Sequence, residues 1–319
     1  MSVYQKHLLT IVLEQLPEGV KLVDFLSELV HLSKEACYRR IRCEVEFTLS
    51  EVVLIAKALN INLTSLVIRE GGEKVTCNLR VVEEDTLVNS YIKKLEADLN
   101  VLEGFDSKSQ HSIHFVCKNL PELFYFSYEG LIKLRLLKMQ LNQGGVKPQQ
   151  TFNQIVLTSS LKKVHDQYWK ALTDFKLIVY LGPDLLMGIL RDIEFFTKIN
   201  LLTSENRLLL LEELKAILDL ISEIGNTGMF RNKEIDLYIS HIIIELSQTY
   251  LKSEGLETTI LELEFPNSLL SFDASFNAAQ SHQLSVVKRT STLISQSAEV
   301  EKIAYLNRQR TILNDIKSN

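Results

Sequence analysis

With 319 residues the chain has length for two domains, or for one large and one small. A net charge of −5, from 35 Lys and Arg against 40 Asp and Glu, argues against indiscriminate nucleic-acid binding. Five prolines and twelve glycines are few, so long regular elements dominate, and leucine and isoleucine at helical spacing predict a mainly α fold.

The first residues, Met1–Leu9, lack a basic segment leading into an apolar stretch, so no secretion signal is expected. Tyr4–Leu16 reads as a helix with Leu8, Leu9, Val12 and Leu16 inward, ended by Pro17 and Gly19. Lys21–Val30 gives a second helix, with Leu22, Phe25, Leu26 and Leu29 on one side, and His31-Leu32 a tight turn. Ser33 suits the N-cap of a third helix, because its hydroxyl can accept an orphan backbone N–H. Thr48 and Glu51 stand at capping-box spacing and open a fourth helix with Val52, Ile55, Ala56 and Leu59 inward. Asn60-Ile61-Asn62 breaks it, and Leu63–Val67 predicts a short fifth helix.

The third helix carries the chemistry. Residues 33–42 hold three arginines, one lysine and one acid, a local charge of 4 − 1 = +3. Cys37 and Ile41 fall four apart on an apolar side, while Lys34, Tyr38 and Arg42 fall four apart on another, with Glu35 and Arg39 beside them. A short helix with a dry side and a side of fork-shaped donors suits a DNA major groove. Arg39 and Arg42 are candidates for base edges or phosphates, since a guanidinium can hold guanine O6 and N7 together. Lys34, next to Ser33 at the helix start, would meet phosphate, and Tyr38 a sugar or thymine methyl. Glu35 could accept from cytosine N4, and Arg40, on the flank, would touch the DNA backbone. An ordinary amphipathic helix with a charged outer face has the same composition. Residues 1–70 hold eight Lys and Arg and nine Asp and Glu, 8 − 9 = −1, so DNA contact would rest on this local patch and be salt-sensitive.

The stretch SKEACYRRIRCEVEFTLSEVVLIAKALNINLTSL, within five short helices, resembles the helix-turn-helix domains of the phage-repressor and Cro type. The resemblance implies a five-helix lambda-repressor-like DNA-binding domain over 1–70, with the third helix as recognition helix and the fourth bracing it. Many relatives have glycine where this chain has Cys43, and position 31, here His31, is often glycine too.

Gly71-Gly72 starts a linker, and Glu83-Glu84-Asp85 is acidic. Val88, Ile92, Leu95, Leu99 and Leu102 then make a heptad seam of about two heptads, so 71–102 reads as linker plus a short coiled-coil helix that could dimerise. Residues 103–319 read as a mostly helical dimerisation or effector domain. Helices are expected near Leu123–Leu141, Ser160–Leu172, Pro183–Lys198, Ser204–Ile224, Asp273–Val287 and Ser297–Lys317. The apolar run Leu177–Leu190 is broken by Gly182, Pro183 and Asp184 and is too short to span a bilayer. Asp236–Thr249 and Glu257–Glu264, flanking Ser253-Glu254-Gly255, predict one small β-hairpin. No fixed-period repeat is evident. The segments IHFVCKNLPELFYFSYEGLIKLRLLKMQ and KRTSTLISQSAEVEKIAYLNRQRTIL resemble parts of poorly characterised bacterial proteins that join such a helix-turn-helix to a long C-terminal region. That resemblance implies a regulator, with no ligand and no catalytic residue.

Other patterns are weaker. His111, His114 and Cys117 could be metal ligands on one helix face, but no fourth ligand follows. Phe115, Phe124, Tyr125, Phe126, Tyr128, Tyr168, Trp169, Phe195 and Phe196 could line an effector pocket, although such aromatics are usually core. In the last helix, Lys302, Arg308, Arg310 and Lys317 against Glu299, Glu301 and Asp315 read as a solvated surface with local pairs. Cys37, Cys43, Cys77 and Cys117 are scattered without a Cys-x-x-Cys pair, which fits a reducing cytoplasm. No enzyme signature, cofactor motif or metal site is expected. The sequence therefore predicts a cytoplasmic transcription regulator binding double-stranded DNA as a homodimer. The alternative is a protein- or peptide-binding module on a degenerate helix-turn-helix.

Overall fold

The computed structural model describes residues 3–16, 19–59, 61, 75–82, 84–105, 111–142 and 150–317. The chain divides into two units, Met1–Thr76 and Cys77–Asn319. Among the described residues no helix is long and apolar enough to cross a membrane.

In the first unit, α1 spans Val3–Gln15, α2 Leu22–Leu29, α3 Lys34–Ile41 and α4 Leu49–Ala58. Their apolar positions recur three or four apart, and Leu8, Val12, Leu26, Cys37 and Ile55 are sealed in one small core. The expected fifth helix, Leu63–Val67, and the Gly71-Gly72 linker lie outside the described residues.

The second unit overturns the mainly helical expectation. It is built on a nine-stranded mixed sheet of order β1-β8-β7-β6-β2-β3-β5-β4, with β9 also pairing β5. The strands are β1 Asn78–Arg80, β2 His111–Cys117, β3 Phe175–Leu181, β4 Met229–Phe230, β5 Lys233–Ser240, β6 Gln248–Ser253, β7 Leu256–Glu262, β8 Ser268–Ser271 and β9 Ser291–Leu293. Strands β2, β3 and β5 are parallel, with Ile113 opposite Leu177 and Leu177 opposite Ile235. Buried parallel strands read as unbroken apolar runs, and such a run looks the same as a buried helix segment. Leu177–Leu181 of β3 is such a run, whereas β2 mixes His111, Ser112 and His114 with its apolar residues and shows no clear strand pattern. The predicted hairpin keeps its turn: Ser253 pairs Leu256 across Glu254-Gly255, and Gly255 takes a left-handed φ of 78°. Its first arm is split, because β5 joins the parallel set while β6 pairs β7.

The helices are α5 Leu87–Glu103, α6 Glu122–Tyr125, α7 Glu129–Asn142, α8 Ser159–Leu172, α9 Met187–Lys198, α10 Ser204–Thr227, α11 Ala274–Arg289 and α12 Glu299–Lys317. Strand alternation sorts the core into two layers. Ile113, Leu177, Val179 and Leu237 face the main core with residues of α5, α7, α8, α9, α10 and α12. Val116, Ile178, Tyr180 and Tyr250 face the other side, under Leu284 and Val287 of α11. Residues 78–103 belong to this unit rather than to a connecting coiled coil. Val88, Leu95 and Leu102 of the heptad seam are buried in its main core.

Helix α12 keeps the solvated charged surface expected of it at Glu299, Glu301, Arg308 and Asp315, and departs from it at Lys302. Lys302 is 2% exposed, and its Nζ donates to Asn226 Oδ1 and pairs with Glu299, each at 2.5 Å. Its stem crosses Gly225 of α10, where an added Cβ would lie 2.6 Å from Lys302 Cδ. Arg308 and Arg310 reach Asp184 and Asp219, outside their own helix, at 2.7 and 3.1 Å. Tyr305 Oη donates to the carbonyl of Gly182 at 2.8 Å, which fastens the loop leaving β3.

Candidate nucleic-acid interface

Ser33 caps α3: its hydroxyl accepts the N–H of Ala36 at 3.3 Å. His31 and Cys43, at the two ends, adopt left-handed φ values of 53° and 57°. The turn geometry that glycine usually supplies is here met by a histidine and a cysteine, at a strain cost to each. Cys37 anchors the inner side, and burial pushes its thiol pKa up.

The outer side presents Lys34, Tyr38, Arg39 and Arg42. Lys34 Nζ lies 2.5 Å from Asp24 of α2, and both groups are well exposed. That contact raises the lysine pKa and lowers the aspartate. The Arg39 and Arg42 side chains are 58% and 67% exposed and share one carboxylate, Glu44, at 3.7 and 3.8 Å. Both distances exceed hydrogen-bond range. The Arg42 guanidinium also lies 5.9 Å from the Tyr38 ring centre. Glu35 is exposed on the same helix.

Arg40 differs from the role the sequence suggested. Its side chain is 13% exposed, and its Nε and Nη2 hold the two oxygens of Glu51 at 3.0 Å each. Glu51 also accepts the Thr48 N–H at 2.9 Å while Thr48 Oγ1 accepts the Glu51 N–H at 3.3 Å. One carboxylate therefore closes the capping box of α4 and ties α3 to it. The Arg40 guanidinium is thus engaged within the unit instead of free on the flank of α3.

A residue that sequence reasoning missed positions the exit from α3. Gln5 of α1 is 6% exposed. Its Nε2 donates to the carbonyls of Arg40 and Val45 at 2.7 and 2.9 Å, and its Oε1 accepts the Phe47 N–H at 3.1 Å. Its only signal is spacing: Gln5 stands three and four residues before the inward Leu8 and Leu9, on their side of α1, although glutamine by type reads as surface. Gln5→Leu should destabilise the first unit by about 1–3 kcal/mol, because it strands backbone groups that water reaches poorly. Urea denaturation checks this, and an unchanged midpoint would refute the clamp.

The remaining candidates separate. His111, His114 and Cys117 lie on a strand, so His114 faces Tyr180 and Tyr250 while the other two face the main core. Among the described residues no group of three His, Cys, Asp or Glu is placed to hold a metal ion. Phe115, Phe124, Tyr125, Phe126, Tyr168 and Phe196 are buried core, Tyr128 and Trp169 pack on it, and Phe195 is exposed. Phe115 and Tyr168 are among the residues that line a small cavity at the carboxyl end of β2. Comparison with protein-family models, curated proteins and solved structures finds no match for this chain.

Proposed function

We propose that the chain is a sequence-specific DNA-binding regulator whose helix-turn-helix lays α3 in the major groove. One observation carries the reading. The Arg39 and Arg42 guanidinium groups are exposed and only loosely held by a shared carboxylate, so a phosphate or a guanine edge can take them over. Lys34 and Tyr38 flank them on the same side, with the exposed Lys34 ammonium within reach of a phosphate. Two copies reading paired half-sites would supply the specificity that one short helix lacks. The site of action is the cytoplasm.

A gel shift against a pool of genomic fragments tests it. The parent should give salt-sensitive bands, and Arg39→Ala or Arg42→Ala should each weaken them by about 1–3 kcal/mol. Glu44→Gln should strengthen binding by up to about fivefold, because it removes the competing carboxylate. Absence of any shift from both the parent and Glu44→Gln at low salt would reject the reading.

The second reading, a protein- or peptide-binding module, draws on Asp24 and Glu44. They sit beside Lys34, Arg39 and Arg42, and Leu49 is 77% exposed at the start of α4. Loss of a bound protein with Leu49→Ser, without any DNA shift from the parent, favours it.

A further inference from the structure

The second unit holds a polar cavity of about 60 Å³ at the carboxyl end of β2. There β2 has parallel β3 on one side and antiparallel β6 on the other. Open α/β sheets place ligands outside the carboxyl ends of parallel strands, where the strand pattern changes. Five elements send ionisable groups to this spot, from residues far apart in sequence.

The charges form a chain. Arg80 Nη2 donates to Asp98 Oδ1 at 2.7 Å, and Lys94 Nζ meets Asp98 Oδ2 at 3.1 Å. Lys94 continues to Glu122 Oε2 at 2.5 Å, and Arg135 Nη2 stands 3.6 Å from Glu122 Oε1. The Arg135 guanidinium lies 4.1 Å from the Phe265 ring centre, which fixes its plane. Three cations thus serve two carboxylates. A third acid, Glu262, lines the cavity, and burial raises its pKa toward the neutral form.

Among the described residues, the guanidinium atoms Arg80 Nη1 and Arg135 Nε are buried without a hydrogen-bond partner, as is one acceptor, Glu122 Oε1, which stands 3.6 Å from Arg135 Nη2. A network that served the fold alone would be expected to satisfy both ends. Here the two ends are guanidinium edges, the groups best shaped for a carboxylate or phosphate.

We propose that this cavity binds a small molecule through a carboxylate or phosphate group, held by the unused donors of Arg80 and Arg135. The volume suits a ligand of a few heavy atoms. The site lies wholly within the second unit, so it stands or falls independently of DNA binding.

Calorimetric titration of the full chain at neutral pH and fixed ionic strength tests this, with inorganic phosphate in one arm and succinate in the other. Saturable heat in either arm supports the site, and the arm that responds names the anion. Arg135→Gln should weaken that binding about thirtyfold. If that variant does not fold, Ser268→Ala serves instead. It frees Arg80 Nε, now donating to Ser268 Oγ at 2.8 Å, and should alter the affinity several-fold. Absence of saturable heat in both arms overturns the proposal, as does an affinity unchanged in every folded variant.

Discussion

Lys94→Met should destabilise the second unit by about 3–5 kcal/mol, the usual consequence of removing one member from a buried ionic cluster. Lys94 is the middle of the chain that runs from Arg80 to Arg135, touching Asp98 and Glu122 at once. Burial alone would lower its pKa, but Glu122 and Asp98 outweigh burial and hold it above the ordinary value. The same logic runs in reverse at Glu122. Burial pushes that carboxyl up, and Lys94 and Arg135 bring it below the usual range. Without the ammonium, two carboxylates with 8% and 11% side-chain exposure lose their shared counterion. For a unit of this size the loss corresponds to a fall in Tm of roughly 6–20 °C. Scanning calorimetry reads it directly, and a Tm within a degree of the parent would show that the cluster contributes nothing to folding.

The second unit should also weaken as pH falls from 6.5 to about 4, and His165→Phe should remove about half of that loss, since burial shifts His114 over the same window. His165 is 5% exposed. It stacks on Phe126 with ring centres 4.1 Å apart and meets Tyr91 edge-on at 5.6 Å. Burial pulls its pKa down from 6.5 to about 4, against the opposing pull of Glu122. Between those values the unfolded chain binds a proton that the folded chain refuses, so stability rises with pH across the window. Above 6.5 both states are neutral there and the group contributes no pH dependence. At the acid end the penalty reaches about 3 kcal/mol. Glu122 behaves differently: its stabilisation is present above its unfolded value and is lost only as pH falls through its lower folded pKa. Paired denaturation curves of parent and His165→Phe at pH 7 and pH 4.5 separate the two. The variant should gain on the parent at the lower pH, and parallel curves would remove His165 from the account.

Much of the first unit was legible because its signals are short-range. Ser33 and Thr48 act within one turn of themselves, and Leu8, Val12, Leu26 and Ile55 declare their sides by spacing alone. The same reasoning could not tell which cations of α3 remain available. Arg40 and Arg39 are neighbours with the same chemistry, yet one is locked to Glu51 and the other reaches solvent. That difference depends on α4 folding back across α3. Gln5, which holds the carbonyl of Arg40 from 35 residues away, left no signal beyond its spacing to Leu8 and Leu9.

The second unit was misread where a local signal has two meanings. Leu177–Leu181 is apolar throughout, as a buried helix segment would be, and only its neighbours β2 and β5 make it a strand. His111, His114 and Cys117 looked convergent under a period of 3.6 and diverge under a period of 2. Lys302 resembled a solvated lysine until Gly225 opened a path for its stem.

What the chain determined locally was its helix starts, its turn at Gly255 and the cationic character of α3, since caps, glycine torsions and side-chain spacing act between near neighbours. Tertiary structure alone decided the nine-stranded sheet, the exposure of Arg39 and Arg42, and the ionic cluster from Arg80 to Arg135. Backbone pairing and charge burial depend on partners that only folding brings within a few ångströms.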